Sequence, residues 1–220
     1  MNAVAQALAA RFSCRAFRPD PVPEDAILRI VDAARLAPSW SNTQPWDVVV
    51  TRPETTRALA EKLVAQAAGE APATPDVPFP PGFDGVYLAR RREVGFGLYA
   101  ALGIAREDRA ARAAQHIENF RFFGAPHVAV LTMPMGMGTY GALDVGGFLL
   151  SFLLAAQGEG VATIAQAALA AYAPTLRKAL AIPADRTVLC GVSFGYADPD
   201  HPANRFRATR APRGELLRFA

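Results

Sequence analysis

The sequence predicts a layered α+β or α/β protein. Helical patterns clearly outnumber strands, and about four short apolar strands lie far apart, separated by long helical stretches. No internal repeat interrupts this order.

The elements follow in turn. Residues 2–10 read as a short helix and 11–17 as irregular chain. Pro19-Asp20-Pro21-Val22-Pro23 makes a rigid turn, because each proline fixes φ and disfavours helix in the residue before it. Residues 24–37 form an amphipathic helix. Ile27, Ile30 or Val31, and Ala34 recur at helical spacing, while Glu24 and Asp25 sit at its positive start and Pro38 stops it. Residues 46–51 (WDVVVT) are a strand and 53–68 a helix. Residues 69–85 carry five prolines (72, 75, 78, 80 and 81) with Phe79 and Phe83. They read as a long insert without regular structure, of the kind that forms functional lids or stays disordered. Residues 86–102 and 107–123 are two helices broken near Gly103, and 127–133 are a strand. A core helix at 142–157, a strand at 161–165, a Pro-initiated helix at 174–181 and a strand at 187–194 complete the set. Residues 195–220 are a polar, extended tail.

With 220 residues, 51% of them hydrophobic, the chain has the length of one large domain or two small ones, and it can bury a core unaided. A net charge of only +3 with this apolar content excludes intrinsic disorder. Two cysteines, Cys14 and Cys190, make neither a disulfide framework nor a zinc site, so a reducing compartment is expected. The start lacks a basic, then apolar, leader pattern. The most apolar run, residues 143–156, is 14 long, includes Asp144 and falls short of the ~18 residues of a membrane span, so it reads as a buried core helix. A soluble cytoplasmic protein follows, with no membrane partner. Of 23 basic residues, 21 are arginine. Compositional bias accounts for most of them; a few suit a bidentate grip on phosphate or carboxylate. Arg90-Arg91-Arg92 is too short a run, without interleaved aromatics, for a nucleic-acid footprint.

Several motifs match on paper and fail in context. Gly136-Met137-Gly138-Thr139-Tyr140-Gly141 fits the dinucleotide fingerprint, which would make the protein a Rossmann-type NAD(P) dehydrogenase. The next strand, however, ends in Gln166-Ala167-Ala168 with no acid for a ribose. Gly191-Val192-Ser193-Phe194-Gly195 fits a nucleophile elbow, yet Asp198-Pro199-Asp200-His201-Pro202 follows where a helix must start. His116, His127 and His201 show no ligand spacing, and His127 reads as a structural group at a strand start. No close carboxylate pair stands out, so no catalytic side chain is assigned.

Two segments are hard to explain by folding alone. In extended Arg11-Phe12-Ser13-Cys14-Arg15, residues 11, 13 and 15 point to one side and make a cluster suited to an oxygen-rich anion. In Pro38-Ser39-Trp40-Ser41-Asn42-Thr43-Gln44-Pro45-Trp46, uncharged polar groups are pinned between prolines and tryptophans, as a planar heteroaromatic edge requires.

These two segments, with Ala162-Thr163-Ile164-Ala165-Gln166-Ala167-Ala168, Gly195-Tyr196-Ala197-Asp198-Pro199 and residues 204–212 (NRFRATRAP), resemble the nitroreductase-like family of FMN flavoenzymes. The resemblance runs from residue 11 to about 213. It implies one nitroreductase-like α+β domain with a central, mostly antiparallel sheet flanked by helices, in an intertwined homodimer holding two FMN molecules at its interface. Arg11 and Ser13 would bind the phosphate, and Arg15 the pyrimidine edge. Pro38, Ser39 and Trp40 of the partner subunit would join them, with Asn42 and Gln44 shaping the same pocket. Ala165 and Gln166 would lie along the ring, and Arg210 with Arg207 or Arg205 would complete the phosphate grip. The implied activity is NAD(P)H-dependent reduction of a small electron acceptor, a nitroaromatic or quinone, by ping-pong hydride transfer. A non-catalytic flavin-binding protein is the other reading. Three positions depart from the family: Phe12 where a basic residue is frequent, Ile164-Ala165 where one branch has Cys-Pro, and Ala208 where a basic residue is common, so that Arg207 substitutes. The 69–85 insert and Arg90 to Arg92 are expected to border the substrate pocket.

Overall fold

The computed structural model describes residues 2–69 and 72–220. Four strands, β1 (Asp47–Val50), β2 (His127–Pro134), β3 (Ala162–Gln166) and β4 (Arg186–Gly195), form one sheet of order β1-β2-β4-β3. All three strand pairings are antiparallel. This removes the dinucleotide reading of Gly136 to Gly141, which needs parallel strands at a crossover. Those glycines instead turn the chain out of β2, with Gly136 and Gly138 at φ +88° and +57°.

The sheet divides two cores by period-two alternation. Val128, Val130, Ile164 and Val188 face one side, while Ala129, Leu131, Met133, Val192 and Phe194 face the other. The register slips once, between Leu131 and Thr132 opposite Cys190 and Val188. On the first side lie α3 (Pro53–Ala68), α5 (Arg109–Ile117) and α7 (Ala173–Leu180), with the aromatic knot Phe120, Phe122, Phe123 and Tyr172. On the second lie α2 (Glu24–Ala34), burying Ala26, Ile30 and Ala34, and α6 (Gly138–Gly158). Two further helices, α1 (Ala3–Ala10) and α4 (Gly85–Ala101), have no buried residue and sit at the periphery.

Differences from the sequence reading have local causes. The second helix ends at Ala34 rather than 37, because Pro38 makes Ala37 a poor helical residue. The helix expected over 107–123 stops at Ile117, and Phe122 and Phe123 adopt left-handed backbone that buries both rings. The helix expected from 142 starts at Gly138; Gly141 is required there, since a Cβ would come 2.5 Å from that of Met137. This helix is not buried all round. Val145, Phe148 and Phe152 face the core, but Leu143 is 69% and Leu150 44% exposed, with Gly146 and Gly147 open between them. By length and composition it reaches what a membrane crossing needs; its inner face packs instead on the sheet and α2.

The insert is tied down at its start, although the part falling on residues 70 and 71 lies outside the described residues. The Thr74 N–H donates to Ala171 O (2.7 Å), and Asp76 accepts from Arg177 (2.6 Å) and from the Val188 N–H (2.7 Å). Phe79 and Phe83, farther on, are exposed.

Candidate active site

The segment 11–15 is held at the open edge of the sheet. Ser13 bridges Thr163 of β3 in parallel, and the Cys14 N–H donates to Thr163 O (3.0 Å). Cys14 points inward and is fully buried, and burial pushes its thiol up to about 11. Alternation therefore turns Arg11, Ser13 and Arg15 to the other side. There the tail returns. Asn204, buried, accepts the Arg15 N–H at Oδ1 (2.8 Å) and donates from Nδ2 to Ala16 O and Asp198 O (2.8 Å each). This clasp places Arg207 and Arg210 opposite the N-terminal arginines. Phe206 seats against Gly97 of α4, where no Cβ would fit.

The result is a cavity of about 350 Å³ lined by Arg11, Ser13, Arg15, Arg207 and Arg210 together with Phe12, Val94 and Phe206. None of the four arginines has a carboxylate partner among the described residues. The Arg11 Nε is buried without a hydrogen-bond partner. Burial lowers the Arg15 pKa from its ordinary value, the mark of a cation held at a desolvation cost. Arg207 stacks 4.0 Å over the Phe12 ring, so the apolar residue at a position expected to be basic supports a neighbouring cation. Arg205 does not line the cavity; its guanidinium reaches Asp200 O at 3.4 Å.

Ala165 and Gln166 end β3, beside this edge. Ala165 is exposed, whereas the Gln166 side chain is buried, accepting from Ser193 Oγ (2.5 Å) and donating to Asn119 O (2.9 Å). Ser193, the elbow candidate, is thus a fully buried structural group. His127 likewise accepts the Val22 N–H at Nε2 and lies 2.9 Å from Thr51 O through Nδ1.

Pro38, Ser39, Trp40, Asn42 and Gln44 do not meet the arginine cavity within one chain. Their loop borders a separate cavity of about 340 Å³ with Met137, Gly141 and Asp144 of the α6 start. The Trp40 N–H donates to the Asp144 carboxylate (3.1 and 3.2 Å), its ring meets Tyr140, and the Gln44 N–H donates to Ser39 Oγ (2.9 Å). Ser41, Asn42 and Gln44 all take positive φ, between 48° and 56°, which is unfavourable backbone for non-glycine residues. Such strain concentrates where a loop is shaped for a ligand.

Over residues 8–196 the chain matches the Nitroreductase family. It is 43% identical over 211 residues to nitroreductase NfnB of Mycolicibacterium smegmatis, covering 96% of this chain and 89% of that one. The chain belongs to the nitroreductase family. Another family member, a 4-nitrobenzoate reductase of Nocardioides sp., is 34% identical and covers 95% of this chain and 86% of its own. The solved structure of the FMN-dependent nitroreductase NfnB from Mycobacterium smegmatis in complex with NADPH superposes with TM-score 0.93 at 42% identity, over 99% of both chains. The FMN- and NADPH-dependent nitroreductase NfnB of Sphigopyxis sp. strain HMH gives 0.94 at 35%, over 100% and 99%. The nitroreductase fold, a four-stranded antiparallel sheet with helices on both faces, is therefore this chain's fold.

Sequence reasoning missed Asn204 as the clasp, and Val94, Phe206 and Asn119 as neighbours of the site. Asn204 stands in a stretch already singled out for its arginines; its burial and its three hydrogen bonds to the 15–16 and 198 backbone appear only in the fold.

Proposed function

We propose that this chain is an FMN-dependent NAD(P)H oxidoreductase reducing nitroaromatic or quinone-type acceptors, active as a homodimer in the cytoplasm. The carrying observation is the cavity of four carboxylate-free arginines with an orphaned, buried Arg11 Nε. That donor set fits the phosphate of FMN: planar guanidinium forks and one hydroxyl suit a dianion with several oxygens. Arg11, Ser13, Arg207 and Arg210 would hold the phosphate, and Arg15 would meet the pyrimidine edge of the ring. FMN, when bound, supplies the hydride-accepting and hydride-donating centre. Arg15 would offer a fixed positive charge beside the pyrimidine edge of a bound ring. No acid–base pair or nucleophile of the chain takes part.

The 38–44 loop and the outer face of α6 support the homodimer reading. The loop holds three residues at positive φ yet lies away from its own chain's arginines. The exposed Tyr140, Leu143 and Leu150 provide an apolar stripe for a second copy, whose loop then completes the site. Two unpaired, buried-side thiols fit a reducing compartment. The second half of the insert, with Phe83 against Arg91 (5.6 Å), would border the acceptor's approach.

Initial rates measured against NADPH and a nitroaromatic test the reading. Parallel double-reciprocal lines are expected, because donor product leaves before acceptor binds. Intersecting lines would replace this with a ternary-complex enzyme.

A further inference from the structure

A second basic cavity adjoins the first. It measures about 450 Å³, lies between α4 and α5, and shares Arg15 and Val94 with the arginine cavity. Arg91, Arg92 and Arg112 line it with Gln115, His116, Asn119, Phe96 and Tyr99, and no Asp or Glu is among its lining residues. Arg90, the first of the run, is engaged with Glu215 at 2.6 Å, while Arg91, Arg92 and Arg112 have no carboxylate partner among the described residues. Arg112 Nη1 donates to Arg106 O (2.9 Å), but its Nε is buried without a partner. A cluster of three cations with an orphaned buried donor is unfavourable until an anion joins it.

We propose that Arg91, Arg92 and Arg112 bind the 2′-phosphate on the adenosine ribose of the hydride donor, and so select NADPH over NADH. The inference rests on the FMN reading for the place of the nicotinamide end. A phosphomonoester dianion offsets two of the three positive charges and offers three terminal oxygens to the guanidinium forks, whereas the lone carboxylate of an aromatic acid offsets one charge with two oxygens. The FMN phosphate already has Arg11, Arg207 and Arg210 of the first cavity. A dinucleotide whose reactive end meets the flavin ring beside Arg15 has its adenosine end in a neighbouring space, and this cavity is contiguous with that point.

The test uses the purified holoprotein, its Arg112→Gln form and an Arg91→Ala/Arg92→Ala form. Calorimetric titration with adenosine 2′,5′-bisphosphate and with AMP is expected to show the bisphosphate binding about 10- to 100-fold more tightly to the unaltered protein. Both variants are expected to bring that ratio near one. In anaerobic stopped-flow reduction, the preference for NADPH over NADH falls in parallel. Equal binding of the two adenosine probes by the unaltered protein overturns the inference. So does a variant that keeps its NADPH preference while its reoxidation by a carboxylate-bearing nitroaromatic slows relative to an uncharged one, which would give the cavity to an acceptor carboxylate. Failure of the FMN reading is seen separately, as a colourless protein, and calorimetry with the adenosine probes does not depend on colour.

Discussion

Arg11 is the side chain on which the proposed phosphate grip would turn, because its Nε is buried with no partner while its neighbours keep backbone carbonyls as company. Replacing Arg11 by Ala removes a charge-assisted donor set of about 1.5–3 kcal/mol. Equilibrium dialysis or flavin fluorescence should then show FMN affinity reduced about 10- to 100-fold with the fold intact; full retention of FMN would remove Arg11 from the phosphate site. In the proposed site Arg15 would meet the ring instead. Its Gln substitution is expected to lower the two-electron midpoint potential by about 30–60 mV, the equivalent of one lost charge-assisted contact, measured by dye-equilibrated reduction. An unchanged potential would place Arg15 away from the ring. At this scale much was legible in the sequence: alternation alone turned residues 11, 13 and 15 to one side, and the structure gathers them in one cavity with Arg207 and Arg210. Arg112 was not legible, since nothing local distinguishes it from Arg109 of the same helix; only the fold shows that its Nε is enclosed.

Strand and helix identities were legible because period-two and period-3.6 patterns were strong, and every strand lies within a residue or so of its expected place. The ends were less so. The early stop of α5 depends on two phenylalanines adopting left-handed backbone to reach the core, a tertiary gain that no local propensity announces. The outer face of α6 was also missed. A run of Leu, Phe and Gly looks equally apolar all round, and only packing shows that one side faces out. That side gives an element-scale prediction. A Leu143→Glu/Leu150→Glu form places two charges on the stripe and should sediment as a monomer with greatly weakened FMN binding, its far-ultraviolet circular dichroism unchanged. A dimer that retains FMN would move the subunit contact elsewhere.

Across the whole molecule, the site is assembled from chain segments far apart in sequence. The N-terminal segment is stitched to the edge of β3, the tail is clasped to it by Asn204, and α4 closes over both through Gly97 and Val94. The tail is fixed to α4 twice more, by Arg90 with Glu215 and by Thr209 with Glu93, both at 2.6 Å. Every one of these ties is long-range, which is why the sequence showed the residues but not their meeting. Ala165 and Gln166 end β3 without lining the arginine cavity, and the loop from Pro38 to Gln44 does not reach it within a single chain, which is why the proposed site calls on a second copy.

The most direct measurement is the anaerobic absorbance spectrum of the purified protein before and after NADPH. Flavin bands that bleach on addition of NADPH and return with a nitroaromatic acceptor are predicted. A colourless protein, or flavin bands that persist in excess NADPH, would contradict the account.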